Sequence, residues 1–321
     1  MKAARLFVAF VACSVSAGVA WSQAFPAKPV RVIVPFPPGG ANDIVARVVF
    51  AKVSEQMGQQ FIIENRSGAG GTIGSAVAAQ SKPDGYTLLI QTAASHVSNG
   101  HLYSKLPYDP LRDFIGVSPL ARVDAVLTVH PSMPARSVKE FIALAKQRPN
   151  QILHGHSGVG SFTHYNGVLF ESRAGIRMTH VPFKGGGPAV IALVSGETQA
   201  QVAAIGELIQ HIKSNRVRGL GVTSKERLAQ LPDVPTIADI IPGYESSTWV
   251  SAFAPAGTPR AIIDRLNAEF GKALNDADVA AKLGAQTLAP AHRPPDELAQ
   301  RLKADSETIG KLFRAIGLKL D

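Results

Sequence analysis

Cysteine is nearly missing from this 321-residue chain; Cys13 is the only one. A chain with one thiol has no internal disulfide, so its core must hold without covalent staples. Aromatic residues are also sparse at 7%, with Trp21 and Trp249 the only tryptophans. Lysine and arginine outnumber the acids, giving a net charge of +9, yet they are scattered and rarely interleaved with aromatics. That pattern excludes a nucleic-acid surface, where basic and stacking side chains alternate, and suits a mild field that favours small anions. Past Trp21 no run is long and apolar enough to span a bilayer.

What the N-terminus does hold is Lys2 and Arg5, a charge-free apolar run from Leu6 to Trp21, and Ser22-Gln23-Ala24. This reads as a secretory signal peptide, residues 1–24, cleaved after Ala24; Gly18-Val19-Ala20 offers a second site. Phe10-Val11-Ala12-Cys13 resembles a lipoprotein site, but the apolar run continues beyond it. Cleavage removes two cations and no acid, lowering the charge to +7 and leaving 297 residues, enough for two packed lobes. Of the tryptophans, Trp249 alone remains.

Apolar runs and helical periods alternate, which predicts α/β architecture. Strands are expected at 30–34, 60–64, 86–91, 125–129, 151–154, 178–181, 217–223 and 248–254. Helices are expected at 41–57, 70–80, 137–147, 162–173, 186–195, 206–213, 259–275 and 295–316. Ser137 and Glu140 form a capping box, and Thr258-Pro259 reads as a cap followed by a first-turn proline. Two stretches rich in Pro, Gly and Asp, Leu106–Pro119 and Leu231–Pro255, bracket a central block. They imply that lobe 2 (124–245) is inserted into a discontinuous lobe 1 (25–123 and 246–321), leaving a cleft between lobes.

The segment Val30–Val49, VRVIVPFPPGGANDIVARVV, runs from strand to turn to helix. Phe36, Pro38, Gly39, Gly40 and Asn42 lie at the break, where a helix N-terminus presents unpaired N–H groups to an anion. No Lys-Ser/Thr follows the glycines, so this is not a phosphate loop, and a carboxylate is the better guest. Asp43 would repel a bound carboxylate and is read as shaping the loop from the first helical turn. Gly68, Gly70 and Gly74 miss the dinucleotide fingerprint by one residue, which leaves no nucleotide cofactor to expect.

A second strand–loop–helix is LHGHSGVGSFTHYNGVLF, Leu153–Phe170. Gly155-His156-Ser157-Gly158-Val159 fails the nucleophile elbow at its last glycine, so a hydrolase using Ser157 or Ser161 is an alternative only. His154, His156, His164 and His180 lack a neighbouring carboxylate or cysteine in sequence, and no metal is expected. Ser157, Gly158, Ser161, Phe162 and Thr163 are better read as a second helix-terminus loop facing the first. Thr92, Ser95 and His96 follow a third strand and supply polar groups. Lys184 is a cation beside the glycines of HVPFKGGGPAV, and Trp249 is placed near the crossing between lobes.

Together, KPVRVIVPFPPGGANDIVAR, ENRSGAGGTIGS, KPDGYTLL, HVPFKGGGPAV, HIKSNRVRGLGVTSKERLAQLPDVPTIAD and APAGTP resemble the Bug-type solute-binding proteins of tripartite tricarboxylate transporters. The resemblance spans Pro26 to about Leu318 and implies a two-lobed periplasmic binding protein of type II. It implies that loops Phe36–Asp43 and Ser157–Thr163 hold a ligand carboxylate, partly through water. Val202-Ala203-Ala204 stands where many members have Phe-Asp-Asn. The loss of that acid at Ala203 points to a mono- or dicarboxylate with an apolar or aromatic body. Asn215 replaces a usual glycine and keeps the left-handed cap. The expected protein is a periplasmic monomer without enzymatic activity, handing its ligand to membrane transporter subunits; a sensor feeding a signalling partner would share the same sequence features.

Overall fold

The computed structural model describes residues 25–320; the signal-peptide expectation lies outside them. In chain order the elements are β1 (Val30–Val34), α1 (Ala41–Met57), β2 (Phe61–Asn65), α2 (Thr72–Ala79), β3 (Thr87–Thr92), α3 (Ala93–Leu102) and β4 (Phe114–Val129). Then follow α4 (Val138–Gln147), β5 (Leu153–His156), α5 (Phe162–Ala174), β6 (Thr179–Pro182), α6 (Gly186–Ser195), β7 (Ala200–Ala204), α7 (Ile205–Lys213) and β8 (Arg218–Val222). The chain closes with β9 (Ser247–Pro255), α8 (Arg260–Leu274), α9 (Ala277–Ala285), β10 (Ala289–Pro290) and α10 (Pro295–Ala315).

Val30, Val32, Ile33 and Val34 have no solvent exposure because β1 is central, paired in parallel with β2 on one side and β3 on the other. A strand covered by helices on both faces must be apolar throughout. β9 runs antiparallel to β3 and then to β4, giving the order β2-β1-β3-β9-β4 in the first lobe. In the second lobe β6 and β7 flank β5 in parallel, and β4 runs antiparallel to β7 and β8. β4 therefore belongs to both sheets. Its residues up to Asp124 pair with β9, and from Ala125 they pair with β7. β9 begins opposite Asp124, at Ser247, so two strands cross between lobes side by side.

Several elements depart from the sequence expectation. β4 starts at Phe114, inside the Pro-rich stretch read as a connection. Pro119 is tolerated there because the β4–β9 register slips on either side of it, a bulge that spares the missing N–H. α3 is buried around nearly its whole surface, so it carries no amphipathic period to read. β7 consists mostly of small residues and lacks the β-branched signature. At α8 the N-cap is Pro259, not Thr258, whose hydroxyl donates to the Pro255 carbonyl instead. Ser137 does cap α4 by accepting from the Glu140 N–H, while Glu140 reaches back to the Arg136 N–H.

Candidate functional site

Five helices begin at one cleft. Its walls are Phe36, Pro37, Pro38, Gly40, Ala41 and Asn42 at the start of α1, Thr92 and Ser95 at α3, Ser157, Ser161, Phe162 and Thr163 at α5, Gly186 and Gly187 at α6, and Ala204 and Glu207 at α7, with Val123 from β4. The first two helices belong to one lobe and the other three to the other. The free space between them is about 40 Å³, below the usual range for a small-molecule site, so the walls lie close together here. A larger cavity of about 510 Å³, beside Ile212, Arg218 and Asp233, lies on the second lobe and has no such convergence of helix ends.

Each loop is fixed by its own sequence. Asp43 accepts from the Gly39 N–H at 3.0 Å, from Arg47 Nε at 2.9 and 3.0 Å, and from Asn65 Nδ2 at 2.9 Å. Asn65 also donates to the Phe36 carbonyl, so the Pro-Gly loop is stapled from two sides. Burial alone would raise the Asp43 pKa, but the Arg47 guanidinium and the two amide donors override it and hold the carboxyl below its ordinary value. Asp43 turns its charge into the loop rather than the cleft, as the sequence reading expected of a loop-shaping acid. Gly39 shares that role through its left-handed backbone, φ 87°.

Thr92 caps α3 and its hydroxyl donates to Ser95 Oγ at 2.8 Å. Ser95 Oγ in turn accepts from the Phe162 N–H at 3.0 Å, a bond between lobes. Across the cleft Thr163 Oγ1 accepts from the Ser157 N–H at 2.8 Å and contacts the hydroxyls of Ser157 and Ser161 at 2.8 and 3.0 Å. Ser161 caps α5 by accepting from the His164 N–H. No histidine ring nitrogen bonds either serine hydroxyl among the described residues, so the arrangement lacks a nucleophile–base pair.

Of the other sequence candidates, five do not line this cleft. His96 is fully buried, bonded to Gln91 and the Pro110 carbonyl and stacked on Phe253 at 4.1 Å; burial pushes its pKa down to about 4. Lys184 and Gly158 line an adjacent cavity with Gly70 and Tyr103. Ala203 is buried in a side cluster with Val190, Leu208 and Val222, and the next residue, Ala204, faces the cleft instead. Strand alternation explains the swap. Trp249 packs beneath the Arg301 guanidinium, 5.2 Å from its ring, and is no part of the wall.

Glu207 is the residue that the sequence reading missed. It is the only ionisable side chain on the cleft wall among the described residues. Its Oε2 is buried without a hydrogen-bond partner, and burial raises its pKa to about 7 against a smaller opposite pull from the Ala41 N–H. In sequence it reads as an acid in the first turn of an amphipathic helix, favoured there by the dipole alone.

The histidines come together more closely than their sequence spacing suggests. One ring nitrogen each of His156, His164 and His180 lies within 4.8 Å of the others, and Glu171 holds His180 at 2.9 Å. Two backbone N–H groups set the tautomers, however. The Gly160 N–H donates to His164 Nδ1 and the Val202 N–H to His154 Nε2. A metal-bound histidine directs its other nitrogen at an acceptor, so these bonds have the wrong polarity for ligands at His164 and His154. His156 and His164 pack as neutral rings, where burial first, then the neighbouring histidines, lowers the pKa of His156 to about 4 and of His164 to about 2.

Two α/β lobes joined by crossing strands, with helix N-termini gathered in the cleft, define a type II periplasmic binding protein fold. Residues 45–318 match the tripartite tricarboxylate transporter family receptor, and the chain belongs to that family, in its Bug-type branch. Protein BugT of Bordetella pertussis is 34% identical over 97% of this chain and 96% of its own. Among solved structures, an R. palustris protein with adipate aligns with a TM-score of 0.87 at 34% identity, covering 92% of this chain and all of that one. MatC from Rhodopseudomonas palustris with bound malate aligns at 0.84 and 32% identity, covering 90% and 99%. These relatives bear on the resemblance drawn from the motifs, and the carboxylate-binding receptor class stands.

Proposed function

We propose that this protein is a periplasmic receptor that captures a small mono- or dicarboxylate and delivers it to membrane transporter subunits, without chemistry of its own. Lobe 1 comprises 25–123 and 246–321, and lobe 2 comprises 124–245. The observation that carries the reading is the meeting of five helix N-termini with the hydroxyls of Thr92, Ser95, Ser157, Ser161 and Thr163 at one cleft. α6 and α7 have no side-chain cap, and α1 none of its own beyond Glu207 at the Ala41 N–H, so first-turn N–H groups remain for a guest. Such ends attract negative charge and donate hydrogen bonds to it. Phe36, Pro37, Val123 and Phe162 supply the apolar surface for the ligand's body. Relatives bound to adipate and malate support the same class of guest.

The test is a thermal-shift screen of organic acids on exported protein, with mass spectrometry of any ligand released on denaturation. Adipate- or malate-like acids should raise the melting temperature, a ligand at about 100 times its Kd adding roughly 2.7 kcal/mol. If only cations or uncharged solutes stabilise the protein, the carboxylate reading is wrong. Intact mass of the exported form should begin at Phe25.

A further inference from the structure

We propose that Glu207 carries a proton when the carboxylate ligand is bound, so that uptake of the anion is coupled to uptake of one proton. The inference rests on the carboxylate reading above and deepens it. Among the described residues the cleft wall has no lysine, arginine or histidine, and its one ionisable group is an acid. The Glu207 carboxylate lies against the N-terminal turns of two helices, with Oε1 beside Gly40 and Oε2 beside Gly186, where a side chain on Gly186 would collide with it at 2.5 Å. Oε2 is buried without a partner.

Two carboxylates sharing one site disfavour joint ionisation, which raises one pKa; the proton so taken up then joins them in a hydrogen bond. The atoms balance simply, because the proton comes from solvent and returns to it on release. The groups facing Glu207 do not offer another way to neutralise it. From α1 the neighbours are Gly40, Ala41 and Asn42, since Asp43 is held by Arg47 and Asn65. From α6 they are Gly186 and Gly187, and beneath α7 the Gln286 carbonyl packs on Gly206. His211 and Lys213 lie at the far end of α7, and Lys184 lines the adjacent cavity. Burial already raises the pKa of Glu207 to about 7, so a small further push from the guest suffices.

The experiment is calorimetric titration of untagged protein with adipate and with malate from pH 6.5 to 8.5, repeated in buffers of different ionisation enthalpy. The expected result is close to one proton taken up per ligand at pH 8, with affinity about tenfold weaker from pH 7.5 to 8.5. Glu207→Gln keeps the shape and the donor, so it should bind with no proton uptake and a flat profile, and more tightly than the parent at pH 8.5. Its melting curve without ligand shows that the variant is folded. Binding by the parent with a flat profile and no proton uptake overturns the role of Glu207 while leaving the carboxylate site standing. Loss of binding in Glu207→Gln also overturns it, because an ionised Glu207 would then be accepting from a donor on the ligand. If neither protein binds either acid at any pH while another class of solute binds both, the carboxylate reading itself fails and takes this proposal with it.

Discussion

Closure of the lobes depends on Gly70, and replacing it tests the cleft without touching its wall. Gly70 sits at φ 63° and its backbone presses on the Val159 carbonyl of the opposite lobe. A Cβ there would overlap that oxygen, and restoring an ordinary separation of roughly 3.2–3.5 Å moves the Val159 loop by more than about 1 Å. The same loop carries Ser157 and leads to Thr163, whose hydroxyls face the cleft. Hydrogen bonds tolerate only a few tenths of an ångström, so a shift of about 1 Å removes one or two of them. At about 1.5–3 kcal/mol for each bond to a charged group, Gly70→Ala should weaken carboxylate binding by at least tenfold. Gly175→Ala is the matched control, with the same φ of 63° but nothing within 4 Å of an added Cβ. Both variants pay about 1–2 kcal/mol of left-handed backbone strain, and only Gly70→Ala should lose affinity. Calorimetry on the two variants, with melting curves for each, reads the difference. Equal affinities in Gly70→Ala and Gly175→Ala would refute the claim that the loops must touch for binding.

Removing the α5 cap with Ser161→Ala should lower stability by about 1 kcal/mol in chemical denaturation and weaken ligand binding as well, because the hydroxyl also orders Thr163. Trp249→Phe should leave affinity within about twofold, since the ring packs under Arg301 outside the cleft; a tenfold loss by calorimetry would place it at the ligand after all. Stability should fall as pH drops from 7 to 5, measured as melting temperature. Burial holds His96, His154, His156 and His164 below their ordinary pKa, so the unfolded chain takes up protons first below about 6.5 and is favoured. Glu207 works in the opposite sense between its ordinary 4.5 and about 7, one group against four, and an unchanged or higher melting temperature at pH 5 would contradict this sum.

The strand–turn–helix units were legible because their signals are local. Val30–Val49 and Leu153–Phe170 each show an apolar run, a glycine break and a helical start, and the structure forms a strand, loop and helix at both. Elements buried on every side were not legible: α3 buries its serines, His96 and Asn99 along with its apolar residues, and β7 is mostly small, so neither shows the polar-apolar period of a surface element. The cleft divided the same way. Residues beside glycine breaks, such as Gly40 and Ser161, could be named from spacing, while Glu207 reaches the cleft only because α7 folds back onto the starts of α1 and α6. His96 and Trp249 show the converse. Position after a strand end brought His96 forward, and the crossing between lobes brought Trp249 forward; tertiary packing against Phe253 and Arg301 turned them elsewhere.

Among the described residues no cation lines the cleft, so an anion there would be held by helix ends and hydroxyls alone. An arginine would hold a carboxylate by itself, with the lobes open or closed. Helix ends act only over their first turn, so each contributes little at a distance. α1 and α3 belong to one lobe and α5, α6 and α7 to the other, so a guest at the five ends would be held by both lobes at once. The Phe162 N–H reaches Ser95 Oγ, and Glu207 reaches the start of α1, across that same junction. Affinity for the guest is therefore differential affinity for the closed state over the open one, which is the condition for a ligand to shift a two-state equilibrium. A guest that bound one lobe alone as tightly as both would close nothing.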